Sequence, residues 1–335
     1  MAINTIRKRN NKRNKRSSKA KTFLKGIILI VVLLVIAAVA YRLVNPSTGS
    51  SNLASLKYDG EIAVELNGNK PEFTDDEIDR AQKGAFEDYS KLDRLGRCGA
   101  ATACLGKETM PAEGQKRESI YMVHPSGWQS ISFWSRCHLI GYQLSAENAN
   151  ERNLITGTNV FNVQGMLPYE NQVADYLRSN SDKHVLMKVE PVYKDDELVA
   201  SGVQMQAWSV EDKGKSVSYN VYVFNIQPGY IIDYADGTVE DDPDHQTVIT
   251  LENKKASYTG KPISIDEAKV SGSTGEVKYI YYTDANRKNK TAWKDGAEDY
   301  GMPPANKGTY YVVATVAGDA WYPSAASDMA VLTIK

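Results

Sequence analysis

The run from Ser135 to Tyr142 contains His138, and two asparagines, Asn153 and Asn162, follow that histidine within 24 residues. A neutral imidazole can take a proton from water, and an amide oxygen suits a hard divalent cation such as Mg2+. Hydrolysis of a phosphodiester uses both groups, because a base must activate water and a cation must absorb the charge that builds on the phosphate. The residue types and their spacing therefore predict metal-assisted phosphodiester hydrolysis.

A helix and a set of strands follow these residues and must position them. Within residues 170–177, the apolar residues Val173, Tyr176 and Leu177 recur at helical spacing. Three long runs with strand composition come next: 184–193, 199–208 and 217–226. Short charged turns separate these runs, so we expect an antiparallel meander beside one helix, which is an α+β arrangement.

The segment from residue 57 to Gly127 carries weaker patterns. Apolar and charged residues partly alternate over 61–66, which predicts a first strand. Thr74 followed by Glu77 predicts a capped helix start. Glycine, proline and small residues interrupt the remainder, which therefore predicts a loop-rich region up to Gly127.

Charge is distributed very unevenly along the 335 residues. The formal net charge is -1, but residues 1–25 hold ten Lys or Arg and no acid, which leaves -11 for the rest of the chain. Residues 26–44 follow, and their uncharged centre with its flanks is about 20 residues long, enough to span a bilayer. We expect a transmembrane signal-anchor with a cytoplasmic N-terminus, so that everything from about residue 45 lies outside the cell.

Two other interpretations of this N-terminal part stay open. The residues before and at Ala40 fit the small-x-small pattern of a signal-peptidase site, so cleavage there would release the rest of the chain. Alternatively, the basic residues 1–25 could bind nucleic acid, although their place beside a membrane segment already explains their charge.

Three cysteines limit the covalent and metal chemistry. Cys98 and Cys104 enclose a run of small residues that permits a disulfide and equally suits two free thiols. Cys137 is of interest only as the neighbour of His138. No set of Cys and His residues has the spacing of a zinc site.

Composition divides the part after the membrane segment into two domains. Residues 45–56 have the Ser, Gly and Pro content of a flexible linker, and the acidic run 240–247 predicts a second, solvated linker. We therefore place one domain at 57–239 and another at 248–335. Two domains and appendages suit a chain of this length.

The second domain has short alternating strands at regular intervals, which suit a small β-sandwich. Its segments 258–263, 308–312 and 332–334 resemble the bacterial Ig-like modules on surface proteins of Gram-positive bacteria. The resemblance implies a spacer or a binding unit, with a cell-wall or other surface ligand as a candidate partner.

The first domain resembles an enzyme family from residue 57 to about residue 237. The run Ser135-Arg136-Cys137-His138 is similar to the Asp-Arg-Gly-His of the DNA/RNA non-specific endonuclease family, which includes membrane-anchored DNA-entry nucleases. The similarity continues through 139–144, Asn153-Leu154, Asn162 and 165–170. It implies a ββα-metal (His-Me finger) nuclease domain with an antiparallel sheet.

The resemblance also implies roles for individual residues. His138 would be the general base that activates water, and Asn162 would hold a hydrated Mg2+ or Mn2+ ion. Glu170 would contact the hydration shell of the ion or orient Asn162. Arg136 would contact the scissile phosphate, and Asn153 would support the site.

Structural interpretations stay open for three of these residues. Asn153 could cap a helix, Glu170 could be a solvated acid at a helix start, and Arg136 could form a surface ion pair. In addition, Ser135 and Cys137 depart from the Asp and Gly of the family, which could alter the turn that orients the histidine.

These features predict a metal-dependent endonuclease that cuts DNA, and also RNA, at the outer cell surface. No base-reading motif is visible, so affinity would come from phosphate contacts by a local basic patch: Arg136, Arg152, Arg178 and Lys183. A surface adhesion protein with a degenerate nuclease domain is one alternative, suggested by the short segment 128–135 before the motif. A released nuclease toxin is the other.

Overall fold

The structure, a computed structural model, describes residues 53–291 and 301–335. The predicted basic tail 1–25, the predicted signal-anchor 26–44 and nearly all of the predicted linker 45–56 lie outside the described residues. Within the two described ranges, no helix is both long enough and apolar enough to cross a membrane.

The first domain consists of one large antiparallel sheet, two small hairpins and three α-helices, with a π-helix before the last of them. Its elements in chain order are β1 (Ala63–Glu65), α1 (Asp75–Ala81), β2 (Phe86–Tyr89), β3 (Ala101–Leu105), β4 (Ser135–His138), α2 (Tyr142–Ser145), β5 (Leu154–Gly157), a π-helix (Phe161–Met166), α3 (Leu167–Ser179), β6 (Val185–Val192), β7 (Gly202–Ser209), β8 (Ser218–Phe224), β9 (Tyr230–Asp233) and β10 (Thr238–Asp241). The large sheet has the strand order β1-β8-β7-β6-β3-β2, and the two small hairpins are β4–β5 and β9–β10.

The meander predicted over 184–226 is confirmed as β6, β7 and β8. Met187 lies opposite Ala207, and Ala207 lies opposite Tyr219, so the register is continuous across the three strands. The predicted first strand is β1, at the edge of the sheet beside β8. Thr74 caps α1 as predicted, because its hydroxyl accepts the Glu77 N–H while the Glu77 carboxylate accepts the Thr74 N–H.

Both faces of the large sheet are buried at its centre, so most residues of β6, β7 and β8 are buried. On one face, β6, β7 and β8 pack against Val173, Ala174 and Leu177 of α3. On the other face, Leu186 of β6 packs with Ala81 of α1 and with several partly buried aromatic residues. The sheet is therefore a middle layer, with α3 and the β4–β5 hairpin on one side and α1 on the other.

The prediction of loops up to Gly127 is wrong for two segments. β2 and β3 extend the large sheet, and β3 pairs directly with β6. The small residues Ala101 and Ala103, which suggest flexibility in the sequence, are fully buried at this position. Their packing is tertiary, so no local pattern of β-branched residues marks the strand.

The three cysteines are free thiols, so the disulfide considered for Cys98 and Cys104 does not form. Cys98 packs in the same apolar cluster as Ala101 and Ala103, whereas Cys104 packs in the cluster on the opposite face of the sheet. Successive side chains of a strand alternate between faces, which separates the two sulfur atoms. Burial raises the pKa of both thiols to about 12, which keeps them protonated and unreactive.

The described part of the second domain, 248–291 and 301–335, contains two sheets that share an apolar cluster. Its strands are β11 (Val248–Thr250), β12 (Lys254–Ala256), β13 (Lys269–Ser271), β14 (Val277–Tyr282), β15 (Gly308–Val316), β16 (Ala325–Ala326) and β17 (Ala330–Ile334). β11 and β13 form one sheet, and the other five strands form the second. Ile249 and Val270 of the first sheet pack with Ala314 and Val316 of the second. The likeness to Ig-like modules stays a prediction.

The acidic run 240–247 is more ordered than the solvated linker predicted for it. Glu240 and Asp241 belong to β10 and pair with Ile231 and Tyr230 of β9. The chain then turns at Asp242, whose carboxylate lies 2.8 Å from Nδ1 of His245. The predicted boundary between residues 239 and 240 therefore falls inside a strand.

Aromatic residues connect the two domains beyond this turn. The Tyr58 hydroxyl donates to the Ala320 carbonyl at 2.6 Å, and the Tyr58 ring lies 5.0 Å from the Trp321 ring. Trp321 also stacks on His245 at 5.6 Å. These contacts place aromatic rings from both domains against one another, so the domains meet through an aromatic junction and not only through a linker.

The cysteine geometry generates a prediction about thiol chemistry. Purified protein, unfolded without any reductant, should release three reactive thiols per chain, while the folded protein should react far more slowly because all three are buried. Titration with a thiol reagent in urea and in buffer measures both values. A single thiol in urea would show that Cys98 and Cys104 had paired.

Candidate active site

A β-hairpin followed by a helix carries the predicted chemistry. β4 and β5 pair in antiparallel register with His138 opposite Leu154, so the histidine is the last residue of its strand. The π-helix and α3 then follow β5 and supply Asn162 and Glu170. The ββα arrangement that the resemblance implies is therefore present, and the short segment 128–135 has not removed a strand of it.

A cavity of about 320 Å³ lies at this hairpin. It brings together four of the five predicted site residues, which are Arg136, His138, Asn162 and Glu170. The remaining lining residues are Arg117, Gly141, Tyr142, Gln143 and Leu167. The fifth predicted residue, Asn153, is not part of the lining.

Asn153 instead holds the backbone that follows His138. It is fully buried, its Oδ1 accepts the Ile140 N–H at 2.9 Å, and its Nδ2 donates to the Ile140 carbonyl at 3.0 Å. Its own carbonyl accepts the Leu139 N–H at 2.9 Å. Asn153 thus satisfies both polar groups of one buried peptide residue and determines the path of the chain leaving β4. It is neither a helix cap nor a residue that faces the cavity.

Both ring nitrogens of His138 have partners. Nε2 lies 2.9 Å from the Asn148 carbonyl, and Nδ1 lies 3.0 Å from Nη2 of Arg117. A carbonyl only accepts and a guanidinium only donates, so Nε2 carries the proton and Nδ1 is the acceptor. Burial, together with the positive charge of Arg117, lowers the pKa of His138 to about 4. The imidazole is therefore a neutral base at physiological pH.

Glu170 is buried, in contrast to the solvated helix-start acid considered from the sequence. Only 8% of its surface is exposed, and burial raises its pKa to about 7. Gly141 permits its close approach, because a Cβ atom added there would lie 2.4 Å from Oε2 of Glu170. The carboxyl group is thus held at the end of the cavity next to the turn that follows β4.

Asn162 lies in a π-helical turn, in which the Leu167 N–H donates to the Asn162 carbonyl five residues earlier. Such turns add one residue to a helix and occur often at functional sites. Among the described residues, the side-chain amide of Asn162 has no hydrogen-bond partner, and neither has the buried hydroxyl of Tyr142 in the same cavity. The amide oxygen is therefore available to an additional ligand.

The residues of the cavity fit a hard divalent cation. The Asn162 amide and the Glu170 carboxyl group supply oxygen donors, which Mg2+ and Mn2+ prefer. In 53–291 and 301–335, no group of three or more His, Cys, Asp or Glu side chains could hold a metal ion. An ion held here would therefore keep most of its water ligands, which is typical of Mg2+.

Arg136 differs from both interpretations given for it. Its Nε donates to the Val123 carbonyl and its Nη2 donates to the Tyr121 carbonyl at 2.7 Å. The guanidinium also lies 3.9 Å from the centre of the Trp128 ring. These contacts fix the loop over 121–128 beside the cavity, so the main role of Arg136 here is to position that loop.

Arg117 is the cavity residue that the sequence does not reveal. It lies 21 positions before His138 in an exposed loop, and only the fold places its guanidinium on Nδ1. Of the other cations in the predicted patch, Arg178 bonds Asp175 and Gln143, and Lys183 bonds Asp182. Among the described residues that line the cavity, the only cations are thus Arg117 and Arg136.

The two departures from the family pattern leave the hairpin intact. Ser135 begins β4 opposite Gly157. Cys137 is fully buried, and a Cβ atom added at Gly157 would lie 2.7 Å from its sulfur. The thiol therefore fills space across the hairpin that a glycine in its place would leave empty, which requires Gly157 on the opposite strand.

Solved structures of nucleases are similar to part of this chain. NucA from Streptococcus agalactiae, with a magnesium ion bound, is 25% identical, and the match covers 56% of this chain and 89% of NucA with a TM-score of 0.46. The Sda1 nuclease with a bound zinc ion is 29% identical, and the match covers 47% of this chain and 82% of Sda1 with a TM-score of 0.42. No curated protein matches the chain.

One model of a protein family also matches part of the chain. Residues 76–211 match the model described as DNA/RNA non-specific endonuclease. This range includes the hairpin, the π-helix, α3 and the cavity residues from Arg117 to Glu170. The predicted resemblance to the DNA/RNA non-specific endonuclease family is thereby confirmed for residues 76–211.

Proposed function

We propose that this protein is a metal-dependent, sequence-non-specific endonuclease that hydrolyses phosphodiester bonds in DNA and RNA. The observation that carries the proposal is the state of His138, a neutral imidazole whose acceptor nitrogen lies in the same cavity as the oxygen donors of Asn162 and Glu170. A base and a cation site within one cavity are the two requirements for activating water next to a phosphate.

Each residue then has a defined task. His138 takes a proton from the attacking water at Nδ1, while the Asn148 carbonyl holds Nε2–H and keeps the ring in the required tautomer. Asn162 and Glu170 would hold a divalent cation, Mg2+ or Mn2+. Such an ion would offset negative charge on the phosphate and on the leaving oxygen.

In this proposal Arg117, and not Arg136, contacts the scissile phosphate. Arg136 donates to two loop carbonyls, whereas Arg117 is an exposed side chain whose guanidinium lies against the catalytic nitrogen. A planar guanidinium binds phosphate oxygens in pairs, which makes Arg117 the better candidate. Phosphate contacts carry no sequence information, which agrees with cleavage at any sequence.

The proposed location is the outer cell surface, with residues 26–44 as the membrane anchor and the domains at 57–239 and 248–335 outside the cell. Cleavage near Ala40 would instead release them, and sequencing the N-terminus of the mature protein separates these cases. The alternative of an adhesion protein with a degenerate nuclease domain loses its main support, because the hairpin before and after His138 is complete.

The proposed role of His138 predicts a specific loss of activity. A protein of residues 46–335 should nick circular plasmid DNA with Mg2+ or Mn2+, and EDTA should stop this cleavage. His138→Ala should slow cleavage by about 100- to 10,000-fold, which is typical for the loss of a general base. His245→Ala, in the domain junction, is the matched control and should retain activity. A folded wild-type protein that cuts nothing with either ion would contradict the proposal.

The position of Asn153 predicts a combined loss of stability and rate. Asn153→Ala leaves the buried N–H and carbonyl of Ile140 without partners, which should lower the free energy of unfolding by about 2–4 kcal/mol. A shift of His138 by about 1 Å should also slow cleavage about 100-fold. Urea unfolding and plasmid cleavage measure these effects.

The matched control for Asn153→Ala is Asn150→Ala. Asn150 is half-buried, and its side chain accepts only the Arg152 N–H in its own loop, so the loss of this side chain should change neither stability nor rate appreciably. If Asn153→Ala were as stable and as active as Asn150→Ala, the positioning role would be wrong.

The pKa values of Glu170 and His138 predict opposite effects of pH on stability without metal. The raised pKa of Glu170 adds stability below its ordinary value of 4.5, and this is lost as pH rises to about 7. The lowered pKa of His138 adds stability above its ordinary value of 6.5, and this is lost as pH falls to about 4.

Variants should separate these two contributions. Relative to wild type in EDTA, Glu170→Gln should gain stability as pH rises from about 4.5 to 7. His138→Gln should lose stability relative to wild type as pH rises from about 4 to 6.5. Each slope can reach about 1.4 kcal/mol per pH unit. Urea unfolding across this pH range provides the measurement, and two variants with parallel pH profiles would rule out the assignment.

A further inference from the structure

The hydrogen bond between Arg117 and His138 occupies the atom that the proposed reaction needs. Nη2 of Arg117 lies 3.0 Å from Nδ1 of His138, and the other ring nitrogen is engaged by the Asn148 carbonyl. A guanidinium cannot accept a hydrogen bond, so the lone pair of Nδ1 is used by an Arg117 N–H. While this bond lasts, Nδ1 cannot take a proton from water.

Asn148 allows the Arg117 side chain to move without disturbing the histidine. The Asn148 carbonyl holds Nε2 of His138, and its side-chain Oδ1 accepts the Glu118 N–H at 3.0 Å. One residue thus fixes both the imidazole ring and the backbone next to Arg117. The Arg117 side chain itself is exposed, so it can leave Nδ1 by rotation of its own torsions alone.

A phosphodiester is the ligand best suited to remove Arg117 from the histidine. The bond to His138 joins a charged donor to a neutral acceptor, whereas a phosphate offers two charged oxygen atoms to the guanidinium fork. The bond to His138 has only one charged partner, whereas a phosphate adds an ionised acceptor and allows two parallel bonds to the guanidinium. A phosphate that enters the cavity therefore competes well for Arg117.

We propose that Arg117 caps the general base in the absence of substrate, and that an incoming phosphate group draws the guanidinium away and frees Nδ1. This inference rests on the proposed function and adds regulation to it. Arg117 then contributes twice, first by blocking the base and afterwards by binding the phosphate. The base becomes available only when a phosphate lies beside it, which limits reaction of the free imidazole with other compounds.

Carbethoxylation of His138 tests the cap without nuclease activity. Diethyl pyrocarbonate modifies an imidazole nitrogen with a free lone pair, and peptide mass spectrometry resolves His138 from the other three histidines. In EDTA and without nucleic acid, Arg117→Ala should raise the modification rate of His138 at least tenfold over wild type. Lys116→Ala, an exposed neighbour, is the matched control and should leave that rate unchanged. Equal rates for Arg117→Ala and wild type would overturn the cap.

Inorganic phosphate tests the release. Added to wild type at constant ionic strength, it should accelerate modification of His138, because it binds Arg117 and exposes Nδ1. In Arg117→Ala it should have no effect or slow the reaction by shielding. Wild type that responds to phosphate no more than to sodium chloride would overturn the release. Thermal unfolding of each variant verifies the fold. The modification rates of His138 can be measured even if the protein cleaves no plasmid, so the cap and the proposed nuclease function can fail separately.

Discussion

Asn153 bonds both polar groups of Ile140, and the geometry of the site depends on this pair of hydrogen bonds. A hairpin with two strands of four residues is not stable alone, because it buries too little apolar surface. Here it gains stability from the large sheet and α3, with which Cys137, Ile140 and Ile155 form one apolar cluster. The two hydrogen bonds from Asn153 to Ile140 then fix the backbone that follows His138, and thereby the position of the imidazole.

The same burial determines the protonation of the site. Burial of His138 and Glu170 disfavours the charged form of each, so it lowers the pKa of the imidazole and raises the pKa of the carboxyl group. A neutral imidazole is ready to act as a base. In the proposed function, the binding of a cation beside Glu170 would favour the ionised carboxylate, so cation binding and deprotonation of Glu170 would be linked.

The sequence predicts those parts of the molecule whose cause is local. Thr74 and Glu77 cap α1 through contacts within four residues, and the strand composition of 184–226, divided by short charged turns, identifies three strands. β3 escapes prediction because Ala101 and Ala103 are small, and only neighbouring strands make that position a strand. The site follows the same division. His138 and Asn162 lie in a recognisable segment, whereas Arg117 reaches the histidine from a distant loop that carries no pattern of its own.

The π-helix between β5 and α3 makes the site sensitive to chain length. Asn162 and Glu170 lie on one continuous helical segment, and the wide turn at Phe161–Met166 sets the angle between them. One residue corresponds to about 100° of helical rotation. Loss of a single residue from this turn would leave an ordinary helix of good stability, yet it would rotate Asn162 away from Glu170. Under the proposed function, an insertion or deletion here would therefore impair the site more than the fold.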